Sequence, residues 1–171
     1  MIRDIRSRLV PAWLLTAAVD GIFASALSVY GYHGTFARLW QGVASTVLGP
    51  ASMQGGTRTV MIGLLMHLGV ALLWTSVFFA LYTASAAVRR IVATPGGVVA
   101  AAAIYGPPIW LVMSLLVIPA LTGRPPAITP RWWINLVAHV PFVALPMIWV
   151  IGRGVRVTPP LADARVAESA A

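Results

Sequence analysis

The chain has 171 residues, of which 59% are hydrophobic and only 9% charged, and its mean hydropathy is +0.86. This composition supplies too little polar surface to cover a soluble globule of this size, so it excludes soluble domains and indicates a membrane protein. The sequence contains no cysteine, which also excludes disulfides and thiolate metal sites.

Four apolar stretches are long enough to cross a bilayer, which takes about 20 residues in a helix. They cover residues 9–30, 59–82, 97–121 and 132–151. We therefore predict an all-α, polytopic membrane protein that forms one four-transmembrane-helix bundle over residues 1–152. Residues 153–171 are small and polar, and we expect them to form a disordered cytoplasmic tail.

The net charge of +8 comes from twelve arginines that divide unequally between the two sides of the membrane. Four lie at span ends on one side, namely Arg38, Arg58, Arg124 and Arg131, and the other eight lie on the opposite side. The positive-inside rule assigns the side with eight arginines to the cytoplasm, so both termini are predicted to be cytoplasmic. Membrane topology thus explains the excess of arginines. The expected partner is the lipid bilayer and not nucleic acid.

The first apolar stretch also has features of a cleavable signal peptide, with a basic start and the triplet Ala24-Ser25-Ala26. Asp20 within the apolar run argues against cleavage, and cleavage would remove one of the four spans. We therefore expect this stretch to remain as the first helix.

Residues 36–50, between the first two spans, place Leu39, Trp40, Val43 and Val47 on one side at helical spacing. This pattern predicts a short interfacial helix that lies on or dips into the outer membrane surface.

The second span places Gly63, His67, Ala71 and Trp74 on one stripe, because steps of three and four residues return to the same helix face. Small residues beside a histidine allow another helix to approach it closely. The seven tryptophans of the sequence are interpreted as membrane-belt and packing residues.

The third span has overlapping small-xxx-small spacings that include Ala102 and Gly106, which predict tight helix packing. The same faces leave open that the chain forms a homo-oligomer or is a subunit of a larger membrane complex. Pro107 and Pro108 interrupt the hydrogen-bond ladder and predict a kink near mid-membrane, and Pro141 weakens the ladder of the fourth span.

Three ionisable residues lie within the spans, where each costs roughly 2.5 to 3.5 kcal/mol to insert and therefore favours a functional hypothesis. At about 1.5 Å per residue, His67 lies about 12 Å and His139 about 10 Å below the outer ends of their helices, and Asp20 lies about 16 Å below its own. The sequence thus predicts an intramembrane polar layer in the outer half of the bundle.

Three further residues extend this predicted layer. Met113 and Ser114 lie about 11 to 12 Å below the outer end of the third helix, and Asn135 lies one turn before His139. Each helix can therefore contribute a polar or sulfur-bearing side chain to the same level of the membrane.

Four interpretations of Asp20, His67 and His139 stay open. The three side chains suit a divalent metal, the two histidines suit the axial positions of haem b, and all three suit a relay for protons or a small solute. Alternatively, they form a polar knot that only orients the helices. Among these interpretations the polar knot ranks first, followed by proton or solute handling, metal and haem. The preferred function of the protein is proton or small-solute handling, or service in a larger membrane assembly, and neither cofactor is required for it.

No motif of an enzyme accompanies these residues. The chain has no lysine, no Gly-rich phosphate loop, no HExxH and no GxSxG. A role other than catalysis is therefore favoured, and no catalytic residue is assigned.

Short motifs occur along the chain in a fixed order: VDGIFA in the first helix, LWQGVASTVLG before the second, FFALY after His67, YGPPIWLVMSLLVIPAL in the third helix and AHVPFVALP in the fourth. On these motifs, residues 19–151 resemble the YagU-like family of small inner-membrane proteins of bacteria, which has no assigned biochemical function. The resemblance implies a four-helix, multi-pass protein of the bacterial inner membrane and supplies no catalytic residue.

Particular positions contribute most to this resemblance. They are Asp20, Gln41, His67, Tyr105-Gly106, Met113, Pro119, His139 and Leu145-Pro146. The chain departs from the family pattern at Ser114, where an asparagine is expected, and at Ala144, where a glycine is expected.

Overall fold

The computed structural model describes residues 5–153, with side chains from Ser7 onward, and this part of the chain is helical without strands. It contains four helices long and apolar enough to cross a membrane, and each begins and ends within three residues of its predicted bounds. The spans and two shorter helices are α1 (Ser7–Gly31), α2 (Phe36–Leu48), α3 (Gly56–Ala84), α4 (Ala86–Ile91), α5 (Pro95–Thr122) and α6 (Pro130–Gly152). The predicted all-α class is confirmed, whereas the predicted tail lies outside the described residues after Arg153.

The bundle has two ends that differ in their connections. The long-loop end carries residues 32–55, which include α2, and residues 123–129. The short-loop end carries residues 85–94, the first turn of α1 and the last turn of α6.

Local capping residues fix where the third span begins and ends. Pro95 occupies the first turn of α5, and the Thr94 hydroxyl accepts a hydrogen bond of 3.1 Å from the backbone N–H of Gly97. The helix ends at Gly123, whose φ of 65° is in the left-handed region that glycine adopts without strain.

Widened helical turns accompany prolines in two of the spans, and the expected kink near mid-membrane stays a prediction. The α-helical part of α5 continues through Pro107 and Pro108 to Val112, and a π-helical turn follows at Met113–Val117. The fourth span widens into a π-helix at His139–Ala144, around Pro141. A proline lacks the backbone N–H of the ladder, and a wider turn accommodates that loss.

The α5 and α6 backbones touch where the small-xxx-small spacing predicts close packing. A Cβ added at Gly106 would lie 2.7 Å from the carbonyl oxygen of His139, so only glycine allows this approach. Ala102, in the same stripe, is fully buried. Helix α6 is the most buried span, and the fully buried Met147 and Ile148 place it at the centre of the core.

The outer faces of the four spans are apolar. Each span has a large aliphatic side chain that is more than 60% exposed, namely Ile22, Leu65, Ile104 and Val137. A bundle with such faces is suited to lipid, because lipid tails solvate them without cost.

Helix α2 packs into the bundle at the long-loop end. Trp40, Gln41 and Ala44 form its buried face, and a Cβ at Gly63 of α3 would overlap the carbonyl oxygen of Trp40. Gly63 lies about 10 Å along α3 from its start, so α2 dips well below that end. The predicted interfacial helix is present, but Val47, expected on its apolar face, is 60% exposed.

Candidate intramembrane site

The predicted polar layer surrounds a cavity of about 230 Å³ in the long-loop half of the bundle, which we call the polar cavity. Side chains from α1, α2, α3, α5 and α6 border it. Five of the predicted layer residues are among them: Asp20, His67, Met113, Asn135 and His139. The structure therefore brings together residues that lie up to 119 positions apart in the sequence.

The sixth predicted layer residue, Ser114, points elsewhere. It is 7% exposed, and its hydroxyl accepts a hydrogen bond of 3.0 Å from the indole N–H of Trp132. Adjacent residues of a helix differ by about 100° around its axis, so Met113 and Ser114 cannot share one face. The depth of these two residues along the helix does not reveal that their side chains point in different directions.

His67 is held against α1 by a backbone contact. Its Nε2 lies 2.9 Å from the carbonyl oxygen of Ala17, and a carbonyl can only accept, so Nε2 carries the hydrogen. A Cβ at Gly21 would lie 3.4 Å from the same nitrogen, so the small residue of α1 lets the imidazole approach. Nδ1 remains uncommitted and faces Oδ2 of Asp20 at 3.8 Å.

His139 is held by its own helix. Its Nδ1 lies 2.6 Å from the carbonyl oxygen of Asn135, so Nδ1 carries the hydrogen and Nε2 is uncommitted. The residue begins the π-helical segment of α6, a type of irregularity that often accompanies functional sites. The indole of Trp110 packs against the imidazole, with the ring centroids 5.1 Å apart.

Asp20 is the one carboxylate among the described residues. It is 26% exposed, it receives no hydrogen bond from any side chain or backbone group described, and it interacts electrostatically with both His67 and His139. The 3.8 Å separation from His67 is that of an ion pair when the imidazole is protonated.

Four polar side chains that border the polar cavity have no hydrogen-bond partner within the described part of the chain. They are the hydroxyl of Thr16 and the indole N–H groups of Trp40, Trp74 and Trp110. Sequence reasoning had interpreted these tryptophans as belt and packing residues. Helical spacing offered a signal, because Trp74 follows His67 by two turns and Trp110 precedes Met113 by one.

The histidines and Asp20 do not form a metal-binding cluster. Within residues 5–153, no three His, Asp or Glu side chains are close enough to hold one ion. The polar cavity, at about 230 Å³, is also smaller than the roughly 300–1,000 Å³ of pockets for drug-sized ligands, and so is too small for haem.

No protein-family model matches this sequence, and no curated protein or solved structure is significantly similar to it. The resemblance to the YagU-like family therefore stays a prediction.

Proposed function

We propose that this chain is an integral membrane protein that binds a small polar solute together with protons in the polar cavity. One observation carries the proposal: Asp20, His67 and His139, from three different helices, border the same cavity, and each imidazole keeps one uncommitted nitrogen. The bilayer position of these groups makes them costly to retain without a role.

The hydrogen bonds to backbone carbonyls define where protons bind. In the neutral imidazoles, Nδ1 of His67 and Nε2 of His139 are lone-pair acceptors. A proton on Nδ1 of His67 forms an N–H that faces the carboxylate of Asp20, and the resulting pair is neutral overall. A proton on Nε2 of His139 then gives the cavity one net positive charge and one more hydrogen-bond donor.

The unpartnered donors distinguish this proposal from a polar knot that only orients helices. Each buried donor without an acceptor costs about 1–3 kcal/mol, so four of them around one cavity make a poor packing device. These four atoms are fully buried, so a solute or water in the polar cavity satisfies them only when their side chains turn toward it. The cavity volume corresponds to about eight water molecules at about 30 Å³ each, which suits a solute of a few heavy atoms.

We place the protein in the bacterial inner membrane with the short-loop end and both termini in the cytoplasm. The arginine distribution supports this orientation, because eight of the twelve arginines lie toward that end in the sequence. The resemblance to the YagU-like family supports the choice of membrane. In this orientation the polar cavity lies in the outer half of the bilayer.

The test uses the purified chain in lipid nanodiscs and three probes: acetate, methylammonium and urea. Tryptophan fluorescence reports occupancy, because three indoles border the polar cavity, and a pH electrode in weakly buffered solution reports protons taken up or released. We expect at least one probe to bind with a Kd below about 10 mM and to change the number of bound protons. The variant His139→Gln should weaken this binding at least about tenfold, and Asp20→Asn should change both the affinity and the number of bound protons.

The matched control is His33→Asn, which removes the third histidine. His33 is exposed in the loop after α1 and has a φ of 52°, a conformation that asparagine tolerates. Binding that is unchanged in Asp20→Asn and His139→Gln, or a wild-type protein that responds to none of the probes, contradicts the proposal. A lower Tm of these variants with unchanged binding supports the polar knot instead.

A further inference from the structure

Two further cavities lie between the polar cavity and the long-loop end of the bundle. Their volumes are about 410 and 350 Å³, and Arg131 and Asn135 border both. Asn135 also borders the polar cavity, and Ala24 and Leu39 are shared between the polar cavity and the smaller of the two. We call these two cavities together the vestibule, because they lie on the long-loop side of the polar cavity and share lining residues with it.

The vestibule is positively charged. Arg38 and Arg131 border the smaller cavity, and Arg124 and Arg131 border the larger one. Asp20, deeper in the bundle, is the only acidic residue of the sequence between positions 5 and 162. No carboxylate therefore accompanies the arginines on the loops and helix ends of the long-loop end, and the vestibule attracts anions and repels cations.

A buried hydroxyl lies beside one of these arginines. The hydroxyl of Tyr32, which borders the smaller cavity, is buried and has no partner among the described residues. The guanidinium of Arg131 lies over the ring of Tyr32, 3.8 Å from its centroid. The guanidinium is thereby held at the mouth of the vestibule by its stacking on the ring.

The unpartnered donors beside the polar cavity also favour an anion over a cation. An indole N–H can only donate, so the unpartnered groups of Trp40, Trp74 and Trp110 need a ligand with acceptor atoms. An organic cation such as an alkylammonium has none. The lone-pair oxygens of a carboxylate offer about four acceptor sites, enough for the three indole N–H groups when the rings turn toward the cavity.

We propose that the solute of the polar cavity is a small monovalent oxyanion of the short-chain carboxylate class, which enters through the vestibule from the long-loop end. This inference rests on the proposed function and names its substrate class. When both histidines are protonated and Asp20 is ionised, the three groups carry one net positive charge, which matches one monovalent anion. Uptake of the anion is then accompanied by uptake of a proton.

The experiment compares acetate, methylammonium and urea on the intact chain in nanodiscs, with tryptophan fluorescence as the readout. Acetate should bind most tightly, and its apparent association rate should fall as NaCl is raised, because salt screens the arginines of the vestibule. Arg131→Gln and Arg38→Gln should each weaken acetate binding about three- to tenfold, and the double variant more than either.

The matched control is Arg90→Gln, which removes the same charge at the short-loop end, where α4 ends. It should leave acetate binding unchanged. Arg124→Gln removes a vestibule charge but leaves the stacking of Arg131 on Tyr32 in place. Loss of affinity in this variant is therefore attributed to the lost charge and not to a loss of that packing contact.

Each remaining outcome overturns the inference. Acetate binding that is equal in the wild type and the vestibule variants eliminates the basic entry route. Preferential binding of methylammonium or urea, weakened by Asp20→Asn, eliminates the anion while the proposed function stands. If no probe binds, the inference and the proposed function fail together.

Discussion

Substitution of Gly106 by alanine tests the close approach that positions His139. The added Cβ would lie 2.7 Å from the carbonyl oxygen and 2.9 Å from the carbonyl carbon of His139, and 3.0 Å from Cα of Val140. Ordinary contacts of a Cβ are 3.4–4 Å, and all three neighbours are backbone atoms that cannot rotate away. Helices α5 and α6 must therefore separate by about half an ångström or more.

The expected cost follows from this geometry. Overpacking of this kind costs about 1–3 kcal/mol, and the better helix propensity of alanine returns about 0.5–1 kcal/mol. We expect the free energy of unfolding of Gly106→Ala to fall by about 1–2 kcal/mol. The size scaling of soluble domains converts this loss to a Tm about 2 to 8 °C lower.

The assay is thermal unfolding of the purified variants in one detergent at a fixed scan rate, since unfolding of membrane proteins is often irreversible. Gly69→Ala is the matched control, because Gly69 lies in mid-span of α3 and an added Cβ there meets nothing within 4 Å. This variant should be at least as stable as the wild type. Equal Tm shifts for the two variants, or a Gly106→Ala variant as stable as the wild type, would refute the reasoning.

Two further predictions concern contacts outside the polar cavity. Ser114→Ala leaves the buried indole N–H of Trp132 without its acceptor, and should lower the free energy of unfolding by about 1–3 kcal/mol. In a double-mutant cycle with Trp132→Phe, the two losses should not be additive. Full additivity would count against the hydrogen bond. Arg8→Gln removes a charged donor that lies 2.6 Å from the carbonyl oxygen of Ile151 and 3.0 Å from the hydroxyl of Tyr82. The substitution should lower the free energy of unfolding by about 1.5–3 kcal/mol, measured by thermal unfolding, and should leave acetate binding unchanged. An unchanged Tm would show that these hydrogen bonds of Arg8 do not stabilise the short-loop end.

The location and length of the spans, and the depth of the polar residues, were determined by the sequence alone. A span requires a continuous run of apolar residues of fixed length, so its bounds follow from local composition, and each span was predicted to within three residues at either end. Depth along a helix is also local, since every residue adds about 1.5 Å, and the prediction that Asp20, His67 and His139 lie at a similar level rests on this regularity.

Only the tertiary structure decided which side chains face one another. The phase of a helix about its own axis depends on its neighbours and on the π-helical turns at Met113–Val117 and His139–Ala144, which shift every later residue. Adjacent residues point about 100° apart, and packing places Met113 beside the polar cavity and Ser114 against Trp132. Hydropathy could not reveal this, because it records how apolar a residue is and not the direction in which it points.

The same limit applies to the donors around the site and to the vestibule. Trp40 borders the polar cavity because α2 dips against Gly63, a contact between segments that no local pattern of either one specifies. A hydrogen bond that is missing is likewise a property of the assembled bundle, since a donor lacks a partner only when every neighbouring element is in place. The sequence thus determined the residues and their depth, and packing decided that they enclose one cavity.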